Sequence, residues 1–100
     1  MRPLPVVFRA RALDDLENIV DYVSIDDPEA ASRVIRRIHQ TIFKTLANFP
    51  HAGRRDLETG VREFAVPGLP YLVIFLPLPD TLDVIGVFHT SLPLSDKPKA

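Results

Sequence analysis

The apolar spacing of this chain changes from helical to strand-like after Pro50, and that change restricts what it can fold into. From Ala12 to Leu46 apolar residues recur at steps of three and four, while beyond Pro50 they gather in short runs of strand type. In the first part, Leu13, Leu16, Val20 and Val23 form one stripe that Ile19 widens, which predicts a helix from Ala12. Asp14, Asp15, Glu17 and Asp21 lie on its other faces, and acidic residues near a helix start suit the positive end of its dipole. A second start follows in "DDPEAA" (26–31): Asp27 can cap, Pro28 fits the first helical position and Glu29 favours the first turn. Ala31, Val34, Ile35, Ile38, Ile42 and Leu46 then share one face, with Arg33, Arg36, Arg37, Gln40 and Lys44 opposite. Only a few residues separate the two helices, so they should form an antiparallel hairpin.

Strand signals flank this hairpin. "VVFRA" (6–10) reads as an edge strand behind two prolines, "VREFAV" (61–66) as a strand, and "PGLP" (67–70) as a turn. "YLVIFLPLP" (71–79) is a strand closed by prolines, and "TLDVIGVFH" (81–89) is the last strand. The predicted fold is therefore α+β: a strand, an antiparallel helix hairpin, then a three-stranded antiparallel meander (β-α-α-β-β-β), with the helices packed on one sheet face. Within 71–76 every position is apolar, whereas a sheet with one wet face alternates. The hairpin can cover one face only, so we expect a partner on the second.

Composition removes other classes. At 100 residues the chain should be one domain, spanning 1–90, followed by a Pro-, Ser- and Lys-rich tail (91–100) expected to be flexible. There is no cysteine, hence no disulfide framework and no Cys-ligated metal. The N-terminus shows neither a signal peptide nor a membrane span, so a cytoplasmic, membrane-free protein is expected. A net charge of −1 argues against a surface that grips nucleic acid through its phosphates, and no direct sequence-specific binding is expected. We find no metal cluster, no phosphate loop and no nucleophile–base pair, and expect no cofactor.

An ordered set of residues carries a resemblance. It comprises Ala12, Asp15–Leu16, Ile19 and Tyr22 in the first helix, then Pro28 and Ala31 opening the second, with Leu46, Phe49–Pro50 and Gly53–Arg54 at its close. Arg62, the run from Tyr71 to Phe75, and Ile85, Val87 and His89 complete it. This skeleton, covering roughly residues 6 to 89, resembles the RelE/ParE toxin superfamily and more closely its ParE-like branch. The resemblance implies a toxin of a type II toxin–antitoxin module held in a hetero-oligomeric complex by a ParD-like antitoxin. ParE-like members poison DNA gyrase without being enzymes; RelE-like members are ribosome-dependent mRNA endoribonucleases. A non-toxic antitoxin-binding relative is a third reading, suggested by Leu92 where many relatives carry Arg.

Candidate residues follow from that resemblance. Under the ribonuclease reading His89 and Arg62 would be catalytic, because metal-free RNA cleavage needs acid–base groups and a cation for the phosphorane. Tyr71 stands where those enzymes often carry another basic residue, which favours the gyrase reading. The residues alone also allow His89 to be an edge or core histidine, alternating with Ile85 and Val87 on one face. For antitoxin binding we single out Arg54 and Arg62 as a cationic edge, with Arg55 pointing away, and Arg33 and Arg37 on the second helix. Phe49 should pack back on the apolar face, Tyr22 and Tyr71 should pack as well, and Gly53 should supply a turn conformation other residues resist.

Overall fold

The structure, a computed structural model, describes residues 2–98. Its elements are β1 (Val6–Phe8), α1 (Ala10–Ser24), α2 (Pro28–Gln40), β2 (Arg54–Arg55), β3 (Arg62–Ala65), β4 (Tyr71–Pro77) and β5 (Leu82–His89). The strands form one sheet in the order β1-β5-β4-β3-β2. β1 runs parallel to β5 and every other pair is antiparallel, so the expected meander is present with β1 closing one edge. β2 is an addition. Two arginines between turn residues carry no strand periodicity, and pairing with Arg62 and Glu63 is what extends them.

The second helix starts as its residues predict. Pro28 opens it, and the Asp27 carboxylate accepts from the backbone N–H of Glu29 at 3.0 Å and of Ala30 at 3.2 Å. It does not continue regularly to Leu46: from Thr41 to Leu46 the backbone widens into a π-helical turn, with Ala47 N–H donating to Ile42 C=O at 2.9 Å. The wider turn brings Ile42, Leu46 and Ala47 all inward, and Ile42 and Leu46 are fully buried with Ile38. In α1 no acidic residue occupies the first turn, contrary to expectation. Asp15 serves differently: its Oδ2 accepts from Val87 N–H at 2.9 Å, while Oδ1 pairs with Arg11 at 3.2 Å.

That contact sits at a β-bulge. Ile74 faces Gly86 and Phe75 faces Val84, so Ile85 is an extra residue in β5. The bulge shifts the alternation by one. Val84 and Val87 both pack with Tyr71, Val73 and Phe75 beneath the helices, while Ile85 joins Ile74, Phe88 and Val61 on the far face. The expectation that Ile85, Val87 and His89 share a face is thereby corrected. His89 lies opposite Tyr71, on the helix side.

The far face is also closed by the chain itself. Ile74, Ile85, Phe88 and Val61 are 1%, 3%, 3% and 8% exposed, so this face is not the open partner surface its unbroken apolar run led us to expect. The C-terminal tail crosses it. Lys97 pairs with Glu63, Pro98 is buried, and Arg11 donates to Asp96 C=O at 3.1 Å. A Cβ on Gly86 would stand 2.5 Å from the Pro98 ring and 2.8 Å from the Asp15 carboxylate, so only glycine lets tail and helix close on β5 here. These contacts tie down the second half of the tail, for which composition suggested a free end; Lys99 and Ala100 lie outside the described residues.

Two stability measurements test this packing. Asp15→Ala leaves Val87 N–H without its acceptor and should lower the unfolding free energy by about 1–3 kcal/mol in urea titration. Asp14→Ala, at an exposed neighbouring position, should change it by less than about 0.5 kcal/mol. Burial of the Tyr71 phenol, with Tyr22 as a second contributor, raises its pKa above the ordinary tyrosine value. The folded chain then keeps a proton that the unfolded chain releases, so stability present below the ordinary tyrosine value of about 10 is lost as pH rises beyond it. In Tyr71→Phe that alkaline loss should be shallower.

Candidate functional site

The residues singled out from sequence fall into three separate places. His89 ends β5 beside the buried Tyr71, their rings edge-to-face with centroids 5.1 Å apart. The Ser91 backbone N–H donates to His89 Nδ1 at 3.0 Å, and the Ser91 hydroxyl lies 2.7 Å from the same nitrogen. A donor aimed at Nδ1 holds the neutral ring with its proton on Nε2, leaving Nε2 a donor rather than a base. Tyr22 is exposed on α1 rather than packed, whereas Tyr71 packs as expected.

Arg62 stands elsewhere. It pairs with Phe75, four residues along β4 from Tyr71, and β3 lies two strands from β5. At about 3.3 Å per residue, Arg62 and His89 are separated by about 13 Å along the strands, besides the width of two strand spacings. Arg62 donates to His51 C=O at 2.9 Å. The two candidates for a ribonuclease centre are therefore not brought together.

The arginine edge is also rearranged. Cross-strand partners share a face, and Arg55 pairs with Arg62 while Arg54 pairs with Glu63. Arg54 and Arg62 thus point to opposite faces, and Arg55, expected to point away, is the one that joins Arg62. Gly53, at φ 83°, swings the chain into β2, and a Cβ there would lie 2.3 Å from Glu63 C=O. Among the described residues, Arg54, Arg55 and Arg62 enter no ion pair. Of the other two candidates, Arg33 pairs with Asp27 at 3.6 Å, and Arg37 donates to Pro67 C=O at 2.9 Å across the β3–β4 turn. Phe49 is 66% exposed and does not pack back on the helix face.

A feature absent from the sequence reading lies on the outer side of the hairpin. A groove of about 450 Å³ runs between the helices, lined by Val20 of α1 and by Ala31, Ile35, Arg36 and His39 among others of α2. At its α2 end the His39 ring meets Phe8 and Phe43, with centroids 6.3 and 5.9 Å away, and the two phenyl rings lie 6.0 Å apart. Phe43 and Leu13 are each about half exposed, so this side of the hairpin carries open apolar surface. The spacing of His39 and Phe43, one turn apart, was a legible signal; the approach of Phe8 from β1 was not.

Comparison with known proteins agrees with this architecture. Residues 6–92 match the family model of the ParE toxin of the type II toxin–antitoxin system parDE. The Y4kP protein of Sinorhizobium fredii is 35% identical over 79% of this chain and 80% of its own length. Toxin RelE2 of Caulobacter vibrioides is 33% identical over 86% of this chain and 94% of its own. In fold, the chain is similar to a structure of the chromosomal ParDE system of P. aeruginosa, with TM-score 0.75 and 23% identity over 88% of this chain and 97% of that one. It is also similar to a chain of the RelBE2 toxin–antitoxin complex of Mycobacterium tuberculosis, with TM-score 0.61 and 19% identity over 88% of this chain and 99% of that one. With a matching family model across almost its whole length and a sheet and helix hairpin arranged as in these structures, the chain belongs to the ParE toxin family of type II toxin–antitoxin systems.

Proposed function

We propose that this toxin poisons DNA gyrase without catalysing a reaction, and that a ParD-like antitoxin neutralises it in a hetero-oligomeric complex in the cytoplasm. The observation that carries the first part is the separation of His89 from Arg62. Cleaving RNA without a metal needs a base near the 2′-hydroxyl and a cation near the same phosphate, both within hydrogen-bond reach of one substrate. Here the candidates are about 13 Å apart along the strands, and Ser91 N–H occupies the nitrogen whose protonation would free Nε2 to act as a base. The neighbours of His89 are tyrosine and serine, and among the described residues its ring has no ion pair or charged hydrogen-bond partner. Gyrase poisoning by contact asks for a surface rather than for such a centre.

The antitoxin reading rests on two surfaces. The hairpin groove with its half-exposed Leu13 and Phe43 offers an apolar seat. On β2 and β3, Arg55 and Arg62 oppose each other as like charges, an arrangement that costs stability and that an acidic segment would relieve. Arg33, Arg37 and Arg54 are proposed as accessory contacts.

The test of the first part is direct. Purified toxin should inhibit gyrase supercoiling and accumulate cleaved DNA while leaving cell-free translation intact. His89→Gln should remain toxic in cells if folded. Arrested translation with mRNA cleavage, lost in the His89→Gln variant, would overturn the reading. For the antitoxin, Arg55→Ala and Arg62→Ala should each weaken its affinity by about 1–3 kcal/mol and combine non-additively, because they share one face. Arg54→Ala, on the other face, should add independently. Calorimetric titration with the ParD-like protein co-expressed with the toxin measures all three.

A further inference from the structure

The hairpin groove is flanked by opposite charges. In α1, Glu17 lies between Leu13 and Val20 on the groove side, with Asp14 and Asp21 a step further round the helix; all three carboxylates are exposed. In α2, Arg36 and Gln40 line the groove, with Arg33 a turn before Arg36 and Lys44 in the π-helical turn that follows α2. The helices are antiparallel, and Glu17 stands about level with Arg36 when both are counted from the connection between Ser24 and Pro28. Yet neither Glu17 nor Asp21 enters an ion pair among the described residues, and neither does Arg36 or Lys44. Arg33 is held by Asp27 at 3.6 Å, but Glu17 and Asp21 as an acidic rail on one side and Arg36 and Lys44 as a basic rail on the other stand unpaired among the described residues, flanking an apolar floor formed by Val20, Ala31 and Ile35.

We propose that this groove takes an amphipathic helix of a partner protein that carries cations along the flank facing α1 and carboxylates along the flank facing α2. The proposal rests on the reading that a partner protein binds this toxin, and it names the chemistry of the docking segment. The apolar stripe supplies contact area, and the rails choose among apolar helices by charge. A uniformly acidic helix meets Glu17 and Asp21 as like charges; a uniformly basic one meets Arg36 in the same way. Because a docked helix that reverses its direction exchanges its flanks, the rails also set the direction in which a given partner helix lies.

Three fluorescein-labelled helical peptides, stapled on their outward side and sharing one Leu/Ala face at three- and four-residue spacing, test this against the full chain. One carries Lys on one flank and Glu on the other, one carries Glu on both, and one carries Lys on both. By fluorescence anisotropy at low salt the mixed-flank peptide should bind at least about tenfold more tightly than either of the others, a margin that should shrink as salt rises. The double variant Glu17→Lys with Asp21→Lys makes both rails basic, and preference should pass to the all-Glu peptide while circular dichroism stays unchanged. Equal affinities for the three peptides, or a preference that the double variant does not move, would overturn the charge sorting while leaving gyrase poisoning and antitoxin binding to their own assays. Binding of none of them, or sedimentation of the free chain as a dimer that occupies its own groove, would overturn the groove as a docking site.

Discussion

One extra residue in β5 governs the geometry of the rest of the molecule. A strand without the Ile85 bulge would send Ile85 and Val87 to one face and leave Phe88 on the opposite one with Val84. With it, Val84 and Val87 both meet the helices, Ile85 and Phe88 both meet Ile74, and one strand serves two apolar layers. The bulge also frees a backbone donor, Val87 N–H, on the stretch of β5 that lies beyond the end of β1. Asp15 reaches across from α1 to accept it, which fixes the helix hairpin against the sheet. An unpaired donor in a residue only 5% exposed would cost as much as a lost hydrogen bond, so helix position and strand irregularity depend on each other.

The placement of charge follows the same architecture. The ion pairs among the described residues are Arg9 with Asp83 between β1 and β5, Arg11 with Asp15 along α1, Arg33 with Asp27 at the start of α2, and Lys97 with Glu63 under the tail. Among the described residues, Glu17, Asp21 and Arg36 on the outer hairpin and Arg54 and Arg55 on β2 enter no ion pair. Leu13 and Phe43 stay about half exposed on the same hairpin. At the end of β5, His89 is half-buried, its Nδ1 accepting from Ser91 N–H and its ring edge-to-face against Tyr71.

Much of this fold was legible from residue spacing. The switch of period at Pro50, the Asp27–Pro28 start of α2, the glycine turn at Gly53 and the apolar faces of both helices each rest on local chemistry that a short window contains. The family resemblance rests on the same local signals in order. What spacing misjudged were effects of long range. The far sheet face was expected to be open because nothing in 71–76 reveals that residues twenty positions later fold back over it. Arg54 and Arg62 were grouped because both are basic and near in sequence, but side-chain direction in a strand alternates, and only the pairing of Arg55 with Arg62 shows which cations share a face.

The division has a physical basis. Helix and strand identity, the caps and the turns depend on interactions within a few residues, and the sequence by itself determined them. The bulge, the π-helical turn after Gln40, the docking of Pro98 on Gly86 and the groove between α1 and α2 arise where segments far apart must fill one volume and satisfy each other's backbone groups. Those were decided only in the tertiary structure, because no single segment carries the shape of the space that its partner leaves.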